Sequence, residues 1–99
     1  MARQINAKTY NSWNAMHQRC YNPKHPSYIY YGAKGITVCE EWHSYNNFLL
    51  DMGTRPENMT IDRIDPAGNY NKQNCRWASV SIQARNKKHL KQEETFVIL

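Results

Sequence analysis

Ninety-nine residues suffice for one domain with a modest core and are too few for two. Thirteen Lys and Arg against eight Asp and Glu leave a net charge of +5, which favours an acidic partner, nucleic acid first among them. No apolar run resembles a secretory signal or a membrane span, and three cysteines, an odd number, argue against a disulfide framework and for a reducing cytoplasm.

Residues 1–8 are polar. From Thr9, read as an N-cap, the apolar side chains Tyr10, Trp13, Met16 and Cys20 fall along one face of a helix, with Asn11, Asn14, Gln18 and Arg19 facing away. Asn22, Pro23 and Pro26 end it. Tyr28 to Tyr31 and the Gly32-Ala33-Lys34-Gly35 turn lead into a short strand, Ile36-Thr37-Val38, with Lys34 at the tip where it can touch a phosphate backbone. Trp42, Tyr45, Phe48, Leu49 and Met52 recur at helical intervals and mark a core helix that Gly53 stops. After the polar connector Thr54 to Asn58, the alternation in Met59 to Ile64 predicts a strand, with Met59, Ile61 and Arg63 on one face. Asp65-Pro66-Ala67-Gly68-Asn69 is dense in turn formers, and Asp65 itself reads as a turn carboxylate. Cys75 to Ala78 forms a second short strand, and Ser79 caps a final helix with a basic outer side at Arg85, Lys87, Lys88 and Lys91. The tail is acidic at Glu93-Glu94 and then apolar, Thr95 to Leu99. Trp13, Trp42 and Trp77 fall on inward phases, and His17 and His89 on helix surfaces.

One constellation carries chemistry. With Ser79 as cap, Gln83 and Asn86 lie three apart on one helical face, and a ββα hairpin would fold that face back across the first strand toward Asp62. A carboxylate and amide oxygens are hard ligands suited to one Mg²⁺ or Mn²⁺, an ion that stabilises developing charge on a scissile phosphate.

Several spaced motifs agree in order with a known family. They are Ser12-Trp13, Arg19 to Pro23, Tyr31 to Cys39, Asp51-Met52-Gly53, Ile61 to Asp65, Gly68-Asn69-Tyr70, Asn74 to Ala78 and Gln83 to Asn86. Over residues 9–88 the chain resembles the His-Me finger (HNH, ββα-metal) nucleases, in the form seen in small phage homing-type endonucleases. The resemblance implies a small single α+β domain, residues 1–99, in which helix, loop with short strand, and helix precede a C-terminal ββα-metal finger at residues 59–91. It implies an endonuclease that hydrolyses phosphodiester bonds of double-stranded DNA in the host-cell cytoplasm, away from any membrane. A homodimer fits, since one finger cuts one strand. By position, Asp62 and Gln83 would ligate Mg²⁺ or Mn²⁺, and Asn86 would support the site or replace a ligand. Asn74 would brace the loop, and Lys34, Arg76, Arg85, Lys87 and Lys88 would contact DNA phosphates.

The sequence departs from this family where the general-base His belongs, which here is Arg63. A guanidinium stays protonated and is suited to holding the phosphate or its transition-state charge. Activation of water then falls to Tyr70 or His43, with His25, His17 and a metal-bound water as further alternatives. Cys20, Cys39 and Cys75 with His25 present a second, less favoured constellation, a structural Zn²⁺ site, against which stands their ordinary role as core thiols. Arg63 also leaves open a catalytically silent DNA-binding module, and the apolar tail an inhibitor or adaptor acting on another protein.

Overall fold

Helix α1, Ala7–Tyr21, turns Met16 and Cys20 into the core, four residues and about one turn apart. The structure, a computed structural model, describes residues 7–79. Thr9 is not the cap: the helix already runs at Ala7, and Thr9 is fully buried within it. A buried hydroxyl needs a partner, and that of Thr9 accepts the backbone N–H of Arg55 at 2.8 Å, which ties the start of α1 to the connector after the second helix. Tyr10 stays half exposed and rests its ring against Trp13 and Tyr45.

After α1, the Asn22 side chain accepts from the Lys24 N–H and closes the turn that stops the helix. Two short 3₁₀ turns, Tyr28–Tyr30 and Gly32–Lys34, carry the chain across α1. The strand expected at residues 36–38 reduces to one parallel bridge, Val38 opposite Tyr70, because a single residue of this segment meets a partner edge.

The predicted core helix divides in two. Trp42 lies on a 3₁₀ turn, Glu40–His43, and helix α2 spans Tyr45–Met52. Ser44 separates them: its backbone is extended (φ −93°, ψ 122°) and its hydroxyl caps α2 by accepting from the Asn47 N–H. Gly53, at φ 73°, ends α2 in a conformation that costs other residues a steric penalty. Trp42 remains the centre of the core, fully buried against Phe48 edge to face at 4.9 Å between centroids. Its indole N–H donates to Asp51, and its carbonyl accepts the Trp13 indole N–H at 2.7 Å.

Strands β1, Met59–Arg63, and β2, Cys75–Ser79, form an antiparallel pair in the register Met59↔Ser79 to Arg63↔Cys75. Ile61 and Trp77, opposite each other, pack on the core, and the Trp77 indole N–H donates to the Met52 carbonyl. The result is a small α+β arrangement of helices and a two-stranded antiparallel sheet. The helix expected to complete a ββα finger lies outside the described residues, as do Gln83, Arg85, Asn86, Lys87, Lys88, His89 and the apolar tail. Among the described residues no helix is long and apolar enough to cross a membrane.

Candidate functional site

The loop between β1 and β2 is held by one side chain. Asn74 accepts the Asp65 N–H at 2.9 Å and donates to the carbonyls of Asp65 and Asn69, at 3.1 and 2.9 Å. Gly68 is required beside it, since a Cβ there would come within 2.7 Å of the Asn74 amide nitrogen. The Asp65 carboxylate accepts the Ala67 N–H, so it serves the turn. The far side of the loop is clasped by the 36–39 segment: Asn69 Oδ1 accepts from Thr37, the Tyr70 N–H donates to Thr37 O, and the Cys39 N–H donates to Tyr70 O.

This bracing places Asp62, Arg63 and Tyr70 on the wall of one cavity of about 540 Å³, closed on the other side by α1 residues Ser12, Ala15 and Arg19. Among the described residues, three arginines, Arg19, Arg55 and Arg63, line it against a single carboxylate, Asp62. Arg55 is anchored as structure: its guanidinium donates to the Met59 carbonyl and to the Ser12 hydroxyl. Arg63 reaches back over the loop and donates to the carbonyls of Pro66 and Gly68. Arg19, expected to face away from the helix interior, instead turns into this cavity and donates to the Tyr70 hydroxyl at 3.2 Å. Among the described residues its buried Nε–H has no hydrogen-bond partner.

Two aromatic rings offset this accumulation of charge. Tyr31 and Tyr70 lie nearly parallel, 6.3 Å apart, and the guanidinium carbons of both Arg19 and Arg63 sit 5.0 to 5.9 Å from their centroids. A guanidinium at that distance gains about 0.5–2 kcal/mol from a ring face. Burial pushes the Tyr70 phenol above its usual pKa, and the two arginines pull it back only in part. Tyr70 is therefore protonated at neutral pH, accepting from Arg19 and keeping its own proton to donate.

Asp62 pairs across the sheet with Arg76, Nε to Oδ2 at 3.1 Å. Arg76, with 41% of its side chain exposed, holds the 17%-exposed carboxylate from the solvent side. Such a pair is worth only about 0–1 kcal/mol, so a ligand of Asp62 can displace it.

The other sequence-predicted residues are not brought to this cavity. His43 stands against His17 (ring centroids 5.0 Å) and Tyr21, along a separate groove. Burial, with His43 beside it, holds the His17 imidazole below its ordinary pKa, against the Trp42 carbonyl 3.1 Å from its Nε2. His25 accepts the Ser27 N–H in its own turn, and Lys34 is exposed on its 3₁₀ turn. Cys20, Cys39 and Cys75 are free thiols, all with pKa values raised chiefly by burial, Cys75 to about 11. Among the described residues no three His, Cys, Asp or Glu side chains gather as a metal-binding group.

Arg19 is a cavity residue that the sequence reading placed on the outer face of α1, and a signal for it exists. Ser12, Ala15 and Arg19 share a helical face at i, i+3 and i+7, two small residues followed by an arginine, which leaves a hollow for the guanidinium to fill. No family model, curated protein or solved structure matches the chain.

Proposed function

We propose that the chain is a metal-dependent DNA endonuclease of the ββα-metal type, hydrolysing phosphodiester bonds at the cavity between α1 and the β1–β2 loop. The observation that carries this reading is the gathering of Asp62, Arg63 and Tyr70, from β1 and the loop after it, on one wall of a cavity that Arg19 of α1 and Arg55 also line. A phosphodiester is the ligand whose charge and acceptor oxygens suit such a wall.

In this reading Asp62 is a carboxylate fit to hold a hard divalent cation: it lines the cavity, and its present partner is a half-exposed arginine. Gln83 and Asn86 are the further ligands proposed. When bound, Mg²⁺ or Mn²⁺ supplies charge stabilisation at the leaving oxygen. Arg63, fixed by the Pro66 and Gly68 carbonyls, presents its guanidinium to the phosphate and stabilises charge that builds on the non-bridging oxygens. Tyr70 donates its hydroxyl proton to one of those oxygens. Asn74 and Gly68 keep the loop from shifting, so Arg63 need not be reorganised during the reaction. His17 and His43 face another groove and take no part. Arg76, Arg85, Lys87 and Lys88 would supply sequence-independent affinity for the DNA backbone, and two copies of the chain would be needed to cut both strands.

A second reading, a DNA-binding module without catalysis, is favoured by the Arg76 guanidinium seated on Asp62 and by an arginine in the base position. Supercoiled plasmid incubated with Mg²⁺ or Mn²⁺ separates the two. The nuclease reading expects open-circle or linear product that disappears in Asp62→Ala. DNA retarded in a gel yet never cut with either metal would establish the second.

A further inference from the structure

Arg19 has more hydrogen-bonding capacity than the fold uses. A guanidinium carries five N–H donors, and among the described residues that of Arg19 has one partner, the Tyr70 hydroxyl, with its Nε–H buried and unpaired. Leaving a buried donor unsatisfied costs about 1–3 kcal/mol, more for a charged group. Nor, among the described residues, does a carboxylate pair with Arg19. Arg63 lies over the same two tyrosine rings, and Asp62, the one carboxylate among the described residues of the cavity, is engaged by Arg76. Two like charges beside one aromatic pair, with spare donors and a cavity in front of them, make a surface that suits an anion.

We propose that Arg19 and Arg63, with the Tyr70 hydroxyl between them, form a two-guanidinium site that binds one tetrahedral oxyanion, the phosphate group of a phosphodiester. Its substrate class rests on the nuclease reading, but the anion site itself does not. One guanidinium comes from α1 and the other from β1, so the anion joins two elements that otherwise repel each other there. Arg63 contributes a group already fixed by loop carbonyls, and Arg19 contributes the donors that the fold leaves unmatched. Occupancy removes the unpaired charge and should therefore stabilise the fold as well as position the substrate.

The test is calorimetric titration of the full chain, in low-salt buffer, with inorganic phosphate and with dimethyl phosphate, a minimal phosphodiester. Wild type is expected to bind both, and Arg19→Gln to lose about tenfold in affinity, the equivalent of one charge-assisted contact. Lys24→Gln, an exposed lysine away from the cavity wall, is expected to bind as wild type does. Phosphate should raise the melting temperature of wild type and, at the same concentration, raise that of Arg19→Gln less. Equal phosphate affinity in wild type and Arg19→Gln would overturn the proposal. Should Arg19→Gln fail to fold, the arginine Nε–H resonances of the wild-type protein decide: phosphate must shift that of Arg19, assigned through Arg19→Lys, and an unmoved signal overturns the site. Phosphate binding that depends on Arg19 in a protein that never cuts plasmid would keep the anion site and remove the nuclease. Plasmid cleavage with phosphate affinity indifferent to Arg19 would do the reverse.

Discussion

The Trp42 core and the arginine-lined cavity share helix α1, yet they treat their polar groups in opposite ways. On the core side each indole N–H has a partner: Trp13 on the Trp42 carbonyl, Trp42 on Asp51, Trp77 on the Met52 carbonyl. The Thr9 hydroxyl is matched too, by the Arg55 N–H. On the cavity side two guanidiniums crowd one pair of tyrosines, and a buried Nε–H has no acceptor among the described residues. Sequences that fold well satisfy such groups almost everywhere, so a local failure marks a place shaped for something other than stability. The difference also predicts how the two regions respond to change.

Substitution in the core should do the greatest damage. Trp42→Ala removes the largest fully buried side chain among the described residues and leaves Asp51 without its indole donor, which should cost about 3–5 kcal/mol. Thermal unfolding should show a fall of tens of degrees or no cooperative transition. Arg63→Ala should behave in the reverse manner, lowering plasmid cleavage about 10²–10³-fold while the melting temperature holds or rises, because a crowded charge is removed. A melting temperature that collapsed with Arg63→Ala would place that arginine with the core and break the contrast.

Asn74→Ala tests the junction between the two regions. It deletes three hydrogen bonds that hold the loop and leaves the Asp65 N–H unpaired, so urea denaturation should register a loss of about 1–3 kcal/mol. Cleavage should fall further than stability does, since Arg63 takes its orientation from that loop.

The smallest effect is a pH dependence on the core side. Burial lowers the folded-state pKa of His17 below the ordinary 6.5, so the unfolded chain takes up the proton first as pH falls. The associated stability is present above about pH 6.5 and is lost as pH falls from there through the folded pKa. Melting curves between pH 7.5 and 5 should decline for wild type more steeply than for His17→Gln. Equal slopes would remove His17 from the account.

Much of this plan is legible in the sequence, and the misreadings share a cause. The periodic face of α1, the inward phase of Trp42, the β1–β2 pair and the turn chemistry of residues 65–69 all follow from local patterns. Thr9 and Arg19 do not, because each is decided by a segment distant in the chain. Thr9 looks like a cap until the connector arrives with an unpaired N–H, and Arg19 looks like solvent-facing charge until Tyr70, 51 residues later, provides a hydroxyl. His43 lies away from the cavity for a related reason: Ser44 breaks the helix next to it and its ring settles on His17 and Tyr21. Amphipathic patterns report which side of an element is apolar, and they are silent about a polar interior.

The clasp between residues 36–39 and the β1–β2 loop has a dynamic consequence. The amides of Thr37, Cys39 and Tyr70 each donate across the same seam, so none can open to solvent without loosening the others. They should exchange with deuterium as one cooperative unit. An anion held at Tyr70 would then slow exchange at Thr37, a residue that does not border the cavity, and the 36–39 segment becomes a reporter of occupancy.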